Sequence, residues 1–85
     1  MTVEIHRQFR EQLHDWVIQQ KRIALKIFDL MAAVERNPFE GIGKPEPLKH
    51  GLTGYWSRRI DQEHRLVYRI ENDTLTFISC NGHYE

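Results

Sequence analysis

Cysteine and long apolar runs are the two things this sequence has least of. Its 85 residues include a single cysteine, Cys80, which excludes an intramolecular disulfide and a CxxC metal site. A membrane-spanning helix needs about 20 consecutive apolar residues, and no run approaches that length. The N-terminus also lacks the basic stretch and apolar core of a signal peptide. We therefore expect a cytoplasmic protein with no membrane segment, in a reducing compartment.

An excess of charge is also missing, because 12 basic residues balance 12 acidic ones. Overall charge therefore gives no indication of a nucleic-acid-binding protein. The distribution along the chain is less even, since residues 36–69 contain a local excess of basic side chains, namely Arg36, Lys44, Lys49, Arg58, Arg59, Arg65 and Arg69. A local basic face can attract a polyanion even at zero net charge.

A chain of 85 residues forms one domain, here residues 1–85, with a thin core. Apolar residues recur at helical spacing between residues 6 and 20, and again in the stripe Ile23, Ile27, Leu30, Met31 and Val34. Gln19-Gln20-Lys21 separates the two stripes, and a residue that precedes proline, such as Asn37, disfavours helical geometry. The pattern predicts a helical hairpin that ends before Asn37-Pro38.

The second half of the chain predicts a structured loop and then strands. All three prolines and four of the five glycines lie between residues 38 and 54. Three alternating segments follow, Tyr55–Ile60, Arg65–Ile70 and Thr74–Cys80, and their short connections require antiparallel pairing. Val3 and Ile5 indicate a weak first strand. We predict an α+β fold, with a helical hairpin packed on one face of a small, mainly antiparallel sheet.

Arginines alternate with apolar residues in the predicted strands. Arg65 and Arg69 fall opposite Leu66 and Tyr68, and Arg59 falls opposite Ile60, which assigns these arginines to the sheet face away from the helices. Guanidinium groups in a row suit phosphate, because each offers paired N–H donors. A solvated face of an ordinary sheet has the same pattern, so the residues alone leave both interpretations open.

Two further segments carry residues with suitable chemistry. Glu46 lies between Pro45 and Pro47, which restrict the backbone and would hold a carboxylate in place for general base catalysis, although an ordinary loop has the same composition. At the C-terminus, His83 and Tyr84 could donate a proton or stack on a base, or could be part of a frayed end. The other histidines show no metal-ligand spacing, so we predict neither a metal site nor a cofactor.

Four separated blocks resemble the YoeB/Txe family of bacterial toxins. They are the loop from Asn37 to His50, the segment from Gly54 to Ile60, the segment from Glu63 to Tyr68, and the closing pair His83-Tyr84. Lys21-Arg22-Ile23 also fits the family. The resemblance implies a RelE-like microbial RNase fold. It also implies the toxin of a type II toxin–antitoxin system, which cleaves mRNA in the ribosomal A site without a metal ion and so inhibits translation.

The resemblance also implies roles for individual residues. Glu46 would be the general base, His83 the general acid, and Arg65 would stabilise the transition state. Tyr84 would position the RNA, and Lys49 and Arg59 would contact phosphate. The implied partners are mRNA on the ribosome, a YefM-like antitoxin and, in the free protein, a second copy of the chain.

Two segments depart from the family pattern. The stretch from Ile5 to Phe9 lacks the usual tryptophan–serine–acidic start, and Glu85 extends beyond the tyrosine that normally ends the chain. We also consider two other functions: an inhibitor that binds the ribosome and RNA without cleavage, and a relative that acts only as an interaction protein. An assay of mRNA cleavage on translating ribosomes would separate the three.

Overall fold

The computed structural model describes residues 1–82, so His83, Tyr84 and Glu85 lie outside the described part of the chain. Two helices and five strands follow one another in the order β1 (Thr2–Ile5), α1 (Arg7–Gln19), α2 (Lys21–Arg36), β2 (Glu46–Pro47), β3 (Tyr55–Arg59), β4 (Arg65–Glu71) and β5 (Thr74–Ser79). The helical hairpin and the three strands after the loop are confirmed.

The two helices are separated by a single residue, Gln20, which adopts a non-helical conformation. His6 caps the start of α1, because its Nδ1 accepts the backbone N–H of Gln8. The backbone N–H of Asn37 still bonds to Ala33, but Asn37 itself is extended (φ −155°), as expected of a residue before proline. Its side-chain oxygen then accepts the N–H groups of Phe39 and Glu40, which begins the loop.

The sheet has the strand order β1-β5-β4-β3-β2. Strand β1 pairs with β5 in parallel, and the other pairs are antiparallel, so the sheet is mixed but mainly antiparallel, as expected. Asn72 and Asp73 both have positive φ (52° and 58°) and connect β4 to β5 in a two-residue turn of type I′. The short strand β2 lies within the segment that the sequence assigned to a loop.

The core lies between the helical hairpin and one face of the sheet. Helix residues meet strand residues in one buried cluster, whose fully buried members include Phe9, Ile27, Val34, Leu66, Tyr68, Leu75 and Phe77. Cys80 belongs to the same cluster, and burial raises the pKa of its thiol to about 12. Within residues 1–82, neither helix is long and apolar enough to cross a membrane.

The other face of the sheet differs from the sequence-based expectation of an open surface. Arg59 is exposed there, but Ser57, Arg65 and Val67 are buried on the same face, with Arg65 only 8% exposed. Arg69 is half-buried, lies over the ring of Tyr55 and forms an ion pair with Glu71. Arg69 is therefore held within the sheet, which leaves Arg59 and Arg65 as the arginines of the candidate site.

Candidate active site

Strand register brings three of the predicted site residues onto one face of the sheet. Glu46 pairs with Ser57, and Arg59 pairs with Arg65 two residues further along β3. Paired residues in antiparallel strands share a face, as do residues two apart on one strand. Glu46 and Arg59 are thus diagonal neighbours, about 7–8 Å apart and somewhat closer between their Cβ atoms. Glu46 and Arg65 are separated by two strand spacings and one two-residue step, or roughly 12 Å between Cα atoms.

The three side chains differ in exposure, and the difference fits distinct tasks. Glu46 and Arg59 are exposed, whereas Arg65 is buried. The Nη1 atom of Arg65 donates to the carbonyl oxygens of Asp61 (2.8 Å) and His64 (3.1 Å). Both side-chain hydrogen bonds that Arg65 forms within residues 1–82 leave from Nη1. A guanidinium fixed by two carbonyls is preorganised, so it can stabilise a developing charge without reorganising.

The turn between β3 and β4 supports Arg65. The Asp61 carboxylate accepts the backbone N–H groups of Glu63 (2.8 Å) and His64 (2.6 Å), and closes the turn. Burial alone would raise the pKa of Asp61, but the N–H groups of His64 and Glu63, with the charges of His64 when it is protonated and of Lys26, lower the pKa below its usual value. The turn that holds Arg65 is thus stabilised by a carboxylate that stays ionised.

Arg58 is a structural residue on the core side of the sheet, where it pairs with Leu66. Its side chain is fully buried and donates to three carbonyl oxygens of the loop, those of Asn37, Glu40 and Ile42. It also donates from Nε to the hydroxyl of Tyr68 (3.3 Å), which in turn donates to the carbonyl of Pro38. Burial raises the pKa of Tyr68, although the hydrogen bond and charge of Arg58 lower it in part.

The bonds of Arg58 fix the loop that precedes Glu46. Gly43 lies where the loop packs closely against α2 and β3. Its φ is +86°, and an added Cβ would come within 2.9 Å of Leu30 Cδ2 and 3.1 Å of Arg58 Cβ. The carbonyl of Gly43 accepts the backbone N–H of Arg59 at 2.6 Å. This hydrogen bond joins the loop to β3 next to the site. The backbone that precedes Glu46 is therefore held in a fixed position.

Lys49 is exposed in the loop just beyond β2. The backbone N–H of Leu48 donates to the carbonyl of Tyr55 (2.9 Å), which continues the pairing of β2 with β3 by one residue. Lys49 thus lies two residues after the end of β2, the strand that carries Glu46. The structure records no contact between the Lys49 side chain and the other described site residues. His83 and Tyr84 lie outside the described residues.

No group of three or more histidine, cysteine, aspartate or glutamate side chains within residues 1–82 is arranged to hold a metal ion. A shallow depression elsewhere is lined by Arg10, Glu11, His14 and Asp15 on the outer surface of α1. These residues belong to the helical hairpin and not to the face that carries Glu46 and Arg59.

Comparison with known proteins gives one consistent family. The family model described as "YoeB-like toxin of bacterial type II toxin-antitoxin system" matches residues 5–84. Toxin YoeB of Escherichia coli K12 is 55% identical over 69 residues, which cover 81% of this chain and 82% of the relative. Toxin YoeB of Synechocystis is 55% identical over 75 residues, or 85% of this chain and 87% of the relative.

Solved structures agree with the sequence relatives. The YoeB/ParE toxin from Agrobacterium tumefaciens superposes with a TM-score of 0.91 at 41% identity, over 99% of this chain and 100% of that one. The YoeB dimer from Staphylococcus aureus has a TM-score of 0.88, and the heterotetrameric YoeB–YefM complex from the same organism 0.84, each at 41% identity over 99% of this chain and 98% of that one.

Two helices on a mixed five-stranded open sheet define the α+β architecture of the RelE-like toxins. Within that class, the chain belongs to the YoeB family of toxins of bacterial type II toxin–antitoxin systems. The match begins at residue 5, so it includes the segment from Ile5 to Phe9 that departs from the usual start.

Proposed function

We propose that this chain is a ribosome-dependent endoribonuclease, which cleaves mRNA in the A site by attack of a ribose 2′-hydroxyl and needs no metal ion. The observation that carries the proposal is the placement of Glu46, Arg59 and Arg65 on one sheet face of a YoeB-family chain. A carboxylate can act as the general base and guanidiniums can stabilise charge on phosphate, so these groups suit a metal-free phosphodiester cleavage.

In the proposed reaction, Glu46 accepts the proton of the 2′-hydroxyl, and the resulting oxygen attacks the adjacent phosphorus. The bond from phosphorus to the 5′-oxygen breaks, and His83 donates a proton to that leaving oxygen. The products are a 2′,3′-cyclic phosphate and a free 5′-hydroxyl. Arg65 stabilises the charge on the phosphorane-like transition state, Arg59 and Lys49 bind neighbouring phosphates, and Tyr84 positions the RNA.

Zero net charge explains why the ribosome is required. Free RNA is captured largely through the number of phosphates that a protein neutralises, and here 12 acidic residues offset the field of 12 basic ones. The ribosome holds the message in place and converts a weak encounter into a positioned one. We therefore expect slow cutting of free RNA, much faster cutting of message on translating ribosomes, and action in the cytoplasm.

Glu46→Gln provides the direct test, with Glu40→Gln as its matched control. Both glutamates are exposed in the same loop region. Loss of a general base or acid lowers a rate by about two to four orders of magnitude, so we expect Glu46→Gln to lose at least that much cleavage on translating ribosomes, with an unchanged circular dichroism spectrum. Arg65→Ala and His83→Gln should behave alike. Wild-type cleavage by folded Glu46→Gln protein would remove Glu46 from the mechanism.

The nucleophile is tested on the message itself. A message with a 2′-deoxy sugar at the cut site should resist cleavage, because its internal nucleophile is absent. Cleavage of that message would refute the chemistry. Translation arrest without cleavage of any message would instead favour the non-cleaving inhibitor, and absence of both effects would favour the interaction protein.

Two partners follow from the family. We propose that a YefM-like antitoxin silences the toxin by covering the Arg59–Arg65 face or by displacing His83 and Tyr84, since acidic and apolar side chains could occupy the phosphate site. Support comes from the S. aureus YoeB–YefM complex and YoeB dimer. We further propose a homodimer of the free toxin. A monomer in sedimentation at micromolar concentration would refute the dimer and leave the enzyme assignment intact.

A further inference from the structure

His64 occupies a position that the proposed mechanism does not use. Its side chain is 15% exposed and packs edge-on against Trp16 of α1, with ring centroids 4.9 Å apart. Its Nδ1 accepts the backbone N–H of Gly82 at 3.0 Å, and the carbonyl of Gly82 accepts the backbone N–H of Arg65 at 2.9 Å. Two consecutive residues of the turn into β4 thus hold both polar backbone groups of Gly82.

The residues just before Gly82 are held from the other side by α1. The side-chain oxygen of Gln12 accepts the backbone N–H of Cys80 at 2.7 Å, and Trp16 Nε1 donates to the carbonyl of Cys80 at 2.9 Å. After Cys80 the chain leaves the core, and the bonds to His64 and Arg65 are the ones recorded for Gly82. His64 therefore supplies one of the two hydrogen bonds that hold Gly82 within the described chain, and Gly82 is the residue before His83 and Tyr84.

From this geometry we propose that His64 is a positioning residue, whose neutral imidazole fixes Gly82, the residue that directly precedes the proposed site residues His83 and Tyr84. The inference deepens the proposed RNase function and rests on it. Histidine suits this role because its Nδ1 accepts a hydrogen bond only in the neutral form, with the proton on Nε2. Here Nε2 faces the Glu63 carboxylate at 3.7 Å.

Protonation of Nδ1 would replace the acceptor by a second donor and break the bond to the Gly82 N–H, which leaves Gly82 held, within residues 1–82, by the Arg65 N–H alone. The charged groups that face this imidazole are Glu63, the Asp61 carboxylate that accepts its backbone N–H, and the Arg65 guanidinium that donates to its carbonyl. Lys26 of α2 acts on Asp61, and α1 packs the uncharged Trp16 ring against the imidazole. The hydrogen bond from the Gly82 N–H to His64 should therefore be lost when His64 becomes positively charged.

Two substitutions separate positioning from simple packing. His64→Leu keeps apolar bulk but removes the acceptor, whereas His64→Asn places a carbonyl oxygen close to the position of Nδ1. A misplacement of about 1 Å lowers a rate by up to a hundredfold, so we expect His64→Leu to lower kcat roughly tenfold to a hundredfold with KM nearly unchanged. His64→Asn should recover most of kcat. His14→Leu, at an exposed histidine of α1, should change neither constant.

The second readout does not depend on cleavage. In protein carrying His83→Gln, the amide resonance of Gly82 should shift with pH when the His64 imidazole changes charge, and the shift should vanish in His64→Asn protein. If the chain proved not to cleave RNA, this titration would still decide whether His64 holds Gly82. A pH-independent Gly82 amide, or wild-type kcat in folded His64→Leu protein, would overturn the proposal.

Discussion

Replacement of Arg58 by methionine tests the claim that a buried charge organises the loop before Glu46. Methionine fills a similar volume and removes all the donors. Each hydrogen bond from a charged donor contributes about 1.5–3 kcal/mol, and Arg58 donates to three loop carbonyls and to Tyr68. The sum of these four contributions overstates the loss of folding stability. The loop residues are exposed, so their carbonyls can bind water once the guanidinium is gone.

A second effect also reduces the expected loss of folding stability. Arg58 is fully buried, and its replacement removes a desolvation penalty of several kcal/mol for the ion. We therefore expect Arg58→Met to lower the free energy of unfolding by about 3–5 kcal/mol, roughly half of the sum for four such hydrogen bonds. A domain of this size has about 4–13 kcal/mol in total, so the variant should be close to unfolding.

The assay is urea denaturation followed by tryptophan fluorescence and circular dichroism. Arg59→Met is the matched control, because Arg59 is the next residue on β3, has the same side chain and is exposed. It should change the free energy of unfolding by no more than about 0.5 kcal/mol, yet weaken RNA cleavage. The two neighbours should thus separate stability from activity. A folded Arg58→Met protein within about 1 kcal/mol of wild type would show that the network makes no net contribution.

Three further predictions concern backbone and charge. Gly43→Ala should be less stable than Gly51→Ala by about 1–3 kcal/mol in urea denaturation, because both glycines have positive φ but only Gly43 has atoms within 4 Å of an added Cβ; equal stabilities would contradict the crowding. Asp73→Gly should raise the melting temperature, since glycine avoids a left-handed strain of roughly 1–2 kcal/mol, which exceeds the cost of about 0.4–1 kcal/mol from its extra freedom in the unfolded chain; a lower melting temperature would exclude this explanation. The lowered pKa of Asp61 means that its contribution is present above the ordinary value of 3.8 and is lost as pH falls through the folded-state value. Asp61→Asn should therefore flatten the decline of stability below pH 5, and parallel declines for the two proteins would argue against the Asp61 linkage.

The helices and the last three strands could be predicted because their apolar periodicity is strong and local. Strand β2 could not, because Glu46 and Pro47 form only one short pairing with β3, and the flanking prolines indicate a loop. The parallel pairing of β1 with β5 joins the two ends of the chain, so no local pattern contains it. Strand register depends on contacts between distant segments, whereas periodicity depends only on neighbours.

The candidate site was predicted in part for the same reason. Alternation correctly placed Arg59 and Arg65 on one face, and register then added Glu46 to it. The burial of Arg65 could not be predicted, because its acceptors are main-chain carbonyls of its own turn and leave no mark on the sequence. Arg58 did leave a signal, a charge at a core-facing position, but its acceptors are again backbone atoms.

The buried thiol of Cys80 can be used to measure transient unfolding of this protein. Burial raises the pKa of Cys80 to about 12, so its thiol is almost entirely protonated at pH 8, whereas a free cysteine is ionised in roughly a quarter of molecules. A thiol reagent should therefore modify the chain almost entirely through transient unfolding. Because the backbone of Cys80 is bonded to Gln12 and Trp16, modification would require the last strand to separate from the first helix. The labelling rate would measure how often the C-terminal segment detaches, without any change to the sequence.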